Sequence, residues 1–165
     1  MPKENNKTIS VIVPVYIRNK AGIAMTIKSI DLAKSMTRIP FELVIVETCS
    51  DYFKDICDVH IFEKEKTTAT ISSNRGFKAA RGDYKVFFTN DVFVRDGWLE
   101  SLLECFNIKD CGASTLGSTQ FNHQKEHKIE EGNWFSVAMI PQKTFDEVGY
   151  FDEEYTGVFD DTDLL

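Results

Sequence analysis

The sequence predicts an α/β fold, a mostly parallel central sheet flanked by helices, and three observations carry that prediction. Short β-branched runs recur at Thr8–Val15 (TISVIVPV), Phe41–Val46 (FELVIV) and Lys85–Phe88 (KVFF). Between them lie longer stretches whose apolar residues repeat at helical spacing. Strands that alternate with helices make crossover connections, and these build parallel sheets covered on both faces. The 165 residues suit one domain. With 42% hydrophobic and 27% charged residues the composition is that of a globular protein. No internal repeat, low-complexity stretch or Pro/Gly/Ser linker divides the chain, so a single domain over residues 1–165 is expected.

Taken in order, Thr8–Val15 is rich in valine and isoleucine, and Pro14 suits a strand terminus. Ala21–Met36 places Ile23, Ile27, Ile30 and Ala33 or Lys34 at helical spacing, as in an amphipathic helix. Phe41–Val46 reads as a short buried strand, and Val59–Phe62 as a weaker one. Thr67–Ala80 reads as a helix that stops before the turn residues Arg81-Gly82-Asp83. After the strand Lys85–Phe88, Asp96 is placed to cap a helix over Gly97–Phe106, with Trp98, Leu99, Leu102 and Leu103 as its apolar side. Cys111–Leu116 and Asn133–Ile140 read as later strands, and Gln142–Val148 as a short helix.

Several function classes are disfavoured. No run approaches the roughly 18 apolar residues of a membrane-spanning helix. The first residues, Met-Pro-Lys-Glu-Asn-Asn-Lys, lack the apolar stretch of a secretory signal. Cys49, Cys57, Cys105 and Cys111 contain no Cys-x-x-Cys pair, so neither a zinc knuckle nor a disulfide scaffold is suggested. A cytoplasmic, reduced setting is the expectation. The net charge is −7, unevenly spread: residues 1–82 carry 13 Lys and Arg against 9 acids, residues 83–165 only 6 against 17. The last 22 residues hold eight acids and no Lys or Arg, which disfavours a nucleic-acid partner and leaves a solvated face or a cation site as the alternatives.

In parallel α/β sheets ligands bind where the strand C-termini meet the loops. The segments at those ends are Pro14-Val15-Tyr16, Glu47-Thr48-Cys49-Ser50-Asp51, Thr89-Asn90-Asp91 and, near the end, Phe159-Asp160-Asp161-Thr162-Asp163. With SVIVPVY at 10–16, LVIVETCSD at 43–51, NRGFKAARGDYKVFFTNDVFV at 74–94, GWLESLL at 97–103 and VGYFDEEYTGVFDDTDL at 148–164, the sequence resembles the GT-A family 2 glycosyltransferases. Five segments in the family's order span nearly the whole chain from Ser10.

That resemblance implies an inverting enzyme that moves a sugar from a nucleotide-diphospho-sugar, UDP-type favoured, to a hydroxyl of a glycan or lipid-linked acceptor. It implies nucleotide contacts at Pro14, Val15, Tyr16, Glu47, Asn74, Arg75 and Asn90, and Mg2+ or Mn2+ held at Asp91. It makes Asp161, beside Asp160, the general base, and puts Trp134 and Tyr155 on the acceptor side. Two positions depart from the family pattern: Thr89 stands where the first acid of the Asp-x-Asp motif is usual, and Asp160 where a Glu is usual. The resemblance also implies that the C-terminal part usual in the family is lacking.

The residues themselves leave plainer readings beside these. Glu47 equally suits a cap on the turn that follows it, Asn-Asp after a strand is ordinary turn chemistry, and Asn74-Arg75-Gly76 could be a helix interruption. His123 and His127 are four apart but have no third ligand nearby, so a solvated surface is the better reading. A catalytically silent sugar-nucleotide-binding module of the same fold is the alternative function. A methyltransferase-type site would need a Gly-rich loop after the first strand, and Pro14-Val15-Tyr16-Ile17-Arg18 does not provide one.

Overall fold

A computed structural model describes residues 7–117 and 136–154. Strand β1 (Ile9–Tyr16) is apolar on both sides, and accordingly it sits inside the sheet. Its register runs parallel to β2 (Glu42–Thr48) from Ser10↔Glu42 to Tyr16↔Thr48, and to β4 (Tyr84–Phe88) from Ile9↔Tyr84 to Ile12↔Phe87. Strand β3 (Val59–Glu63) lies parallel to β2 at the edge. Beyond β4 come β6 (Val137–Pro141) and the two-residue β5 (Ser114–Thr115), each antiparallel to its neighbour, giving the order β3-β2-β1-β4-β6-β5. The sheet is thus mostly parallel, as expected. Pro14 does not end β1; its pairing with β4 has already stopped at Ile12, so that side is open where the missing N–H falls.

Helices cover both faces. Val11, Val13 and Val15 join Leu43 and Ile45 in a core with Ile30 and Ala33 of α1 (Lys20–Ser35) and with Trp98, Leu99 and Leu102 of α3 (Trp98–Glu104). Ile12 and Val44 face the other way, onto Phe77 and Ala80 from α2 (Ala69–Ala79) and its C-cap, and onto Phe145 of α4 (Gln142–Val148). Helix α2 lies very close to the sheet. A methyl group built on Gly76 would stand 2.3 Å from Ile12 Cγ2 and 3.1 Å from Val46 Cγ2, so only glycine lets the helix backbone rest between β1 and β2.

Two local expectations are corrected. The buried stripe of α1 is Thr26, Ser29, Ile30 and Ala33, whereas Ile27 is 43% exposed, so the helix is turned from the phase its isoleucines suggest. Helix α3 is preceded by Gly97 in the left-handed region (φ 78°) with no side-chain cap. Asp96 instead points outward, 3.5 Å from the Arg38 guanidinium.

Candidate functional site

All four parallel strands end at one edge of the sheet, and the register sets Tyr16, Thr48 and Glu63 side by side across β1, β2 and β3. Tyr16 is 43% exposed, and its ring is flanked by the Arg18 guanidinium at 5.6 Å and the Lys66 ammonium at 5.5 Å. Val15 is buried among the core valines, so its side chain offers nothing to a ligand at this edge; Pro14, on the Tyr16 side of the strand, is partly buried.

Glu47 has other work than the resemblance implies. It is completely buried, and both its oxygens are engaged by the chain itself. Oε1 accepts from the Ser50 hydroxyl (2.6 Å) and the Tyr52 N–H (2.8 Å). Oε2 accepts from the Phe53 N–H (3.1 Å) and lies 3.0 Å from His60 Nε2. Odd residues of β2 face the α1 side, so a carboxylate at 47 points at the returning turn and folds it.

The next residue turns to the opposite face. The Thr48 hydroxyl donates to Glu63 Oε2 at 2.6 Å, and the Ser72 and Thr67 hydroxyls reach the same oxygen at 2.6 and 2.8 Å. Oε1 of Glu63 accepts a hydrogen bond from Arg75 Nη1. Burial alone would raise the Glu63 pKa, but the hydroxyls of Ser72, Thr48 and Thr67 and the guanidinium outweigh it and hold the carboxyl below its ordinary value. A carboxyl lowered in the folded state favours folding above its unfolded pKa, about 4.3, and that contribution drains away as pH falls through the lower folded value. Urea unfolding from pH 7 to pH 3 is therefore expected to show stability declining below about pH 4.3, with a shallower decline in Glu63→Gln.

Asn74 is also redirected. Its amide is 1% exposed and pairs reciprocally with the backbone of Phe151, donating to the carbonyl at 2.7 Å and accepting from the N–H at 3.1 Å. It donates further to Glu153 at 3.0 Å. Asn74 sits on the buried side of α2, where its amide ties segment 151–153 to that helix. Arg75, one residue on, has a side chain 49% exposed beside the strand ends.

After β4 the chain makes a tight turn closed by Val92 N–H to the Thr89 carbonyl (3.4 Å). Three contacts hold it. Thr89 N–H donates to the Ser136 carbonyl (3.1 Å), the Asn90 amide donates to the Thr26 hydroxyl (2.9 Å), and the Ser29 hydroxyl donates to the Val92 carbonyl (2.5 Å). The two buried hydroxyls of α1 thereby explain its polar stripe. Asp91 stands at the tip of this turn, exposed, with no hydrogen bond or ion pair to any other described residue. Among the described residues no three His, Cys, Asp or Glu side chains gather, so a cation at Asp91 would need oxygens from a ligand and from water. An unengaged carboxylate on a rigid turn fits that need.

Asp160, Asp161, Trp134 and Tyr155, with His123 and His127, lie outside the described residues. Sequence reasoning missed Glu63, Thr48, Thr26 and Ser29. The available signal for Glu63 was an acid closing the weak run at 59–62, with hydroxyls at 67 and 72 and an arginine at 75 following.

A family model described as Glycosyl transferase family 2 matches residues 10–156. Among solved structures, the mannosyltransferase PcManGT from Pyrobaculum calidifontis, in complex with GDP-Man and Mn2+, is similar with a TM-score of 0.70 at 17% identity. The match covers 96% of this chain and 50% of that one. S. aureus TarS 1–349 superposes with a TM-score of 0.67 at 15% identity, over 93% of this chain and 53% of its own. The same fragment in complex with UDP-GlcNAc gives 0.67 at 14%, over 93% and 51%. The chain therefore spans about half the length of these structures, and at such identities the likeness is one of fold. No curated protein matches it by sequence.

Proposed function

The chain belongs to glycosyl transferase family 2 and carries its GT-A fold, and on that premise we propose that it transfers a sugar, with inversion, from a nucleotide-diphospho-sugar to an acceptor hydroxyl. The observation that carries this reading is Asp91: an exposed carboxylate without a partner among the described residues, on a turn braced from three sides at the C-terminal edge of a parallel sheet. Such bracing fixes where a charge stands before any ligand arrives.

In this reading Pro14 and Tyr16 wall the nucleotide and Arg75 reaches its phosphates. Asn90 acts by holding the turn. Asp91 would hold Mg2+ or Mn2+, which the donor diphosphate would also coordinate and which would neutralise charge developing on the departing nucleoside diphosphate. Asp161, with Asp160 beside it, takes the acceptor hydroxyl proton as that oxygen attacks the anomeric carbon from the side opposite the leaving group. Trp134 and Tyr155 shape the acceptor side.

A UDP-type donor, a glycan or lipid-linked acceptor and a cytoplasmic setting complete the proposal. TarS in complex with UDP-GlcNAc, and PcManGT in complex with GDP-Man and Mn2+, support a donor of this chemical class and a divalent cation. No helix among the described residues is long and apolar enough to cross a membrane.

Isothermal titration of UDP, GDP and dTDP, each with and without Mn2+, tests the reading. One nucleoside diphosphate is expected to bind, and to bind more tightly with the metal. A folded chain that binds none of the three overturns the proposal. Binding of the sugar nucleotide without transfer to any acceptor would identify a silent module instead.

A further inference from the structure

We infer that Glu63 is a positioning residue for the donor site: it holds one edge of the Arg75 guanidinium so that the other edge is presented, already oriented, to the phosphates of a nucleoside diphosphate. The inference rests on the reading above, in which Arg75 contacts the donor. It goes beyond that reading by assigning a function to a buried acid that the reaction itself does not use.

The geometry divides the carboxylate in two. Oε2 is turned to the Thr48, Thr67 and Ser72 hydroxyls at 2.6, 2.8 and 2.6 Å, which anchor it to the end of β2, to the loop after β3 and to α2. Oε1 is left for Arg75 Nη1 alone. The Glu63 side chain is 1% exposed and its partner 49%, so the pair runs from the protein interior to the surface at the strand ends. An arginine fork has five N–H donors in one plane, and one edge can be fixed while another binds. A lone exposed arginine would have to give up rotamer freedom on binding; this one has already done so. The helix that carries it cannot drift either, because Gly76 lets α2 rest directly on Ile12 and Val46.

The test is a double-mutant cycle on UDP binding in Mn2+, with Arg75→Ala, Glu63→Gln and the double variant. In Glu63→Gln the amide oxygen keeps the hydroxyl cluster, while the amide nitrogen faces the guanidinium, donor against donor. Arg75→Ala is expected to weaken UDP by roughly 10- to 30-fold and Glu63→Gln by about 5-fold, on the scale of a charge-assisted contact and its preorganisation. The double variant should bind no more weakly than Arg75→Ala alone. Arg75→Lys supplies a second arm that leaves the buried acid a counter-charge. One ammonium cannot serve both partners, so the loss should approach that of alanine.

A nucleotide-free readout accompanies these: the Arg75 Nε–H resonance should be ordered in the wild type and motionally averaged in Glu63→Gln. Additive losses, wild-type binding in Glu63→Gln or Arg75→Lys, or an Arg75 resonance equally mobile in both proteins would overturn the positioning role while the donor site stands. Unchanged UDP affinity in Arg75→Ala would overturn the inference together with the donor contact it rests on.

Discussion

Replacing Glu47 by alanine is expected to cost about 3–5 kcal/mol of folding stability, a large part of the roughly 5–15 kcal/mol available to a domain of this size. The substitution leaves the Tyr52 and Phe53 N–H groups, the Ser50 hydroxyl and His60 without the fully buried carboxylate they converge on, and adds a cavity beside Phe53. Glu47→Gln keeps one acceptor oxygen and should cost less, about 1–3 kcal/mol. Urea denaturation of the three proteins measures the difference. Whatever fraction of Glu47→Gln is folded should bind nucleotide as the wild type does, since the side chain never reaches the surface. A weakened nucleotide affinity at unchanged stability would reverse the assignment and return Glu47 to the ligand.

Asp91 is expected to behave in the opposite way. Asp91→Ala should abolish the tightening of nucleotide binding by Mn2+ and lower sugar transfer by about 100-fold or more, the scale of losing a preorganised charge-stabilising group. Its melting temperature should stay close to that of the wild type, because an exposed residue with no partner among the described residues contributes within about ±0.5 kcal/mol. Asp91→Asn should match alanine in both respects, as a neutral amide is a poor ligand for a hard cation. Titration with and without the metal, alongside thermal unfolding, separates the two kinds of change. A variant that keeps its metal response would move the cation elsewhere and remove the observation on which the function rests.

The contrast between these two acids shows where the sequence could be read and where it could not. Buried parallel strands declare themselves as unbroken runs such as Ser10–Val15 and Leu43–Val46, and both were legible. The antiparallel direction of β6 was not, since nothing local to Val137–Pro141 encodes it. Helix α1 was legible as a helix but not in its rotation, because its sheet-facing side carries Thr26 and Ser29 rather than the isoleucines.

At the site, the turn that carries Asp91 was legible, while the family resemblance alone pointed to the cation proposed there. Glu47 and Asn74 were not, for a chemical reason. A polar residue at a strand end looks the same in sequence whether it faces a ligand or closes a turn, and only the count of partners around each oxygen and nitrogen separates the cases. Glu63 failed to stand out because its strand was the weakest pattern in the chain and its partners are spread over 27 residues, from Thr48 to Arg75.

Thr26 and Ser29 carry a consequence for anyone who would engineer this domain. Judged by hydropathy, two hydroxyls at fully buried helix positions are flaws, and a redesign for thermal robustness would replace them with valine or alanine. Alanine at both positions would raise the intrinsic helix propensity of α1. It would also release Asn90 and the Val92 carbonyl, unfastening from behind the turn that carries Asp91. The geometry of the proposed cation site is thus set by two hydroxyls buried beneath it, and a change made for the helix alone would be felt there.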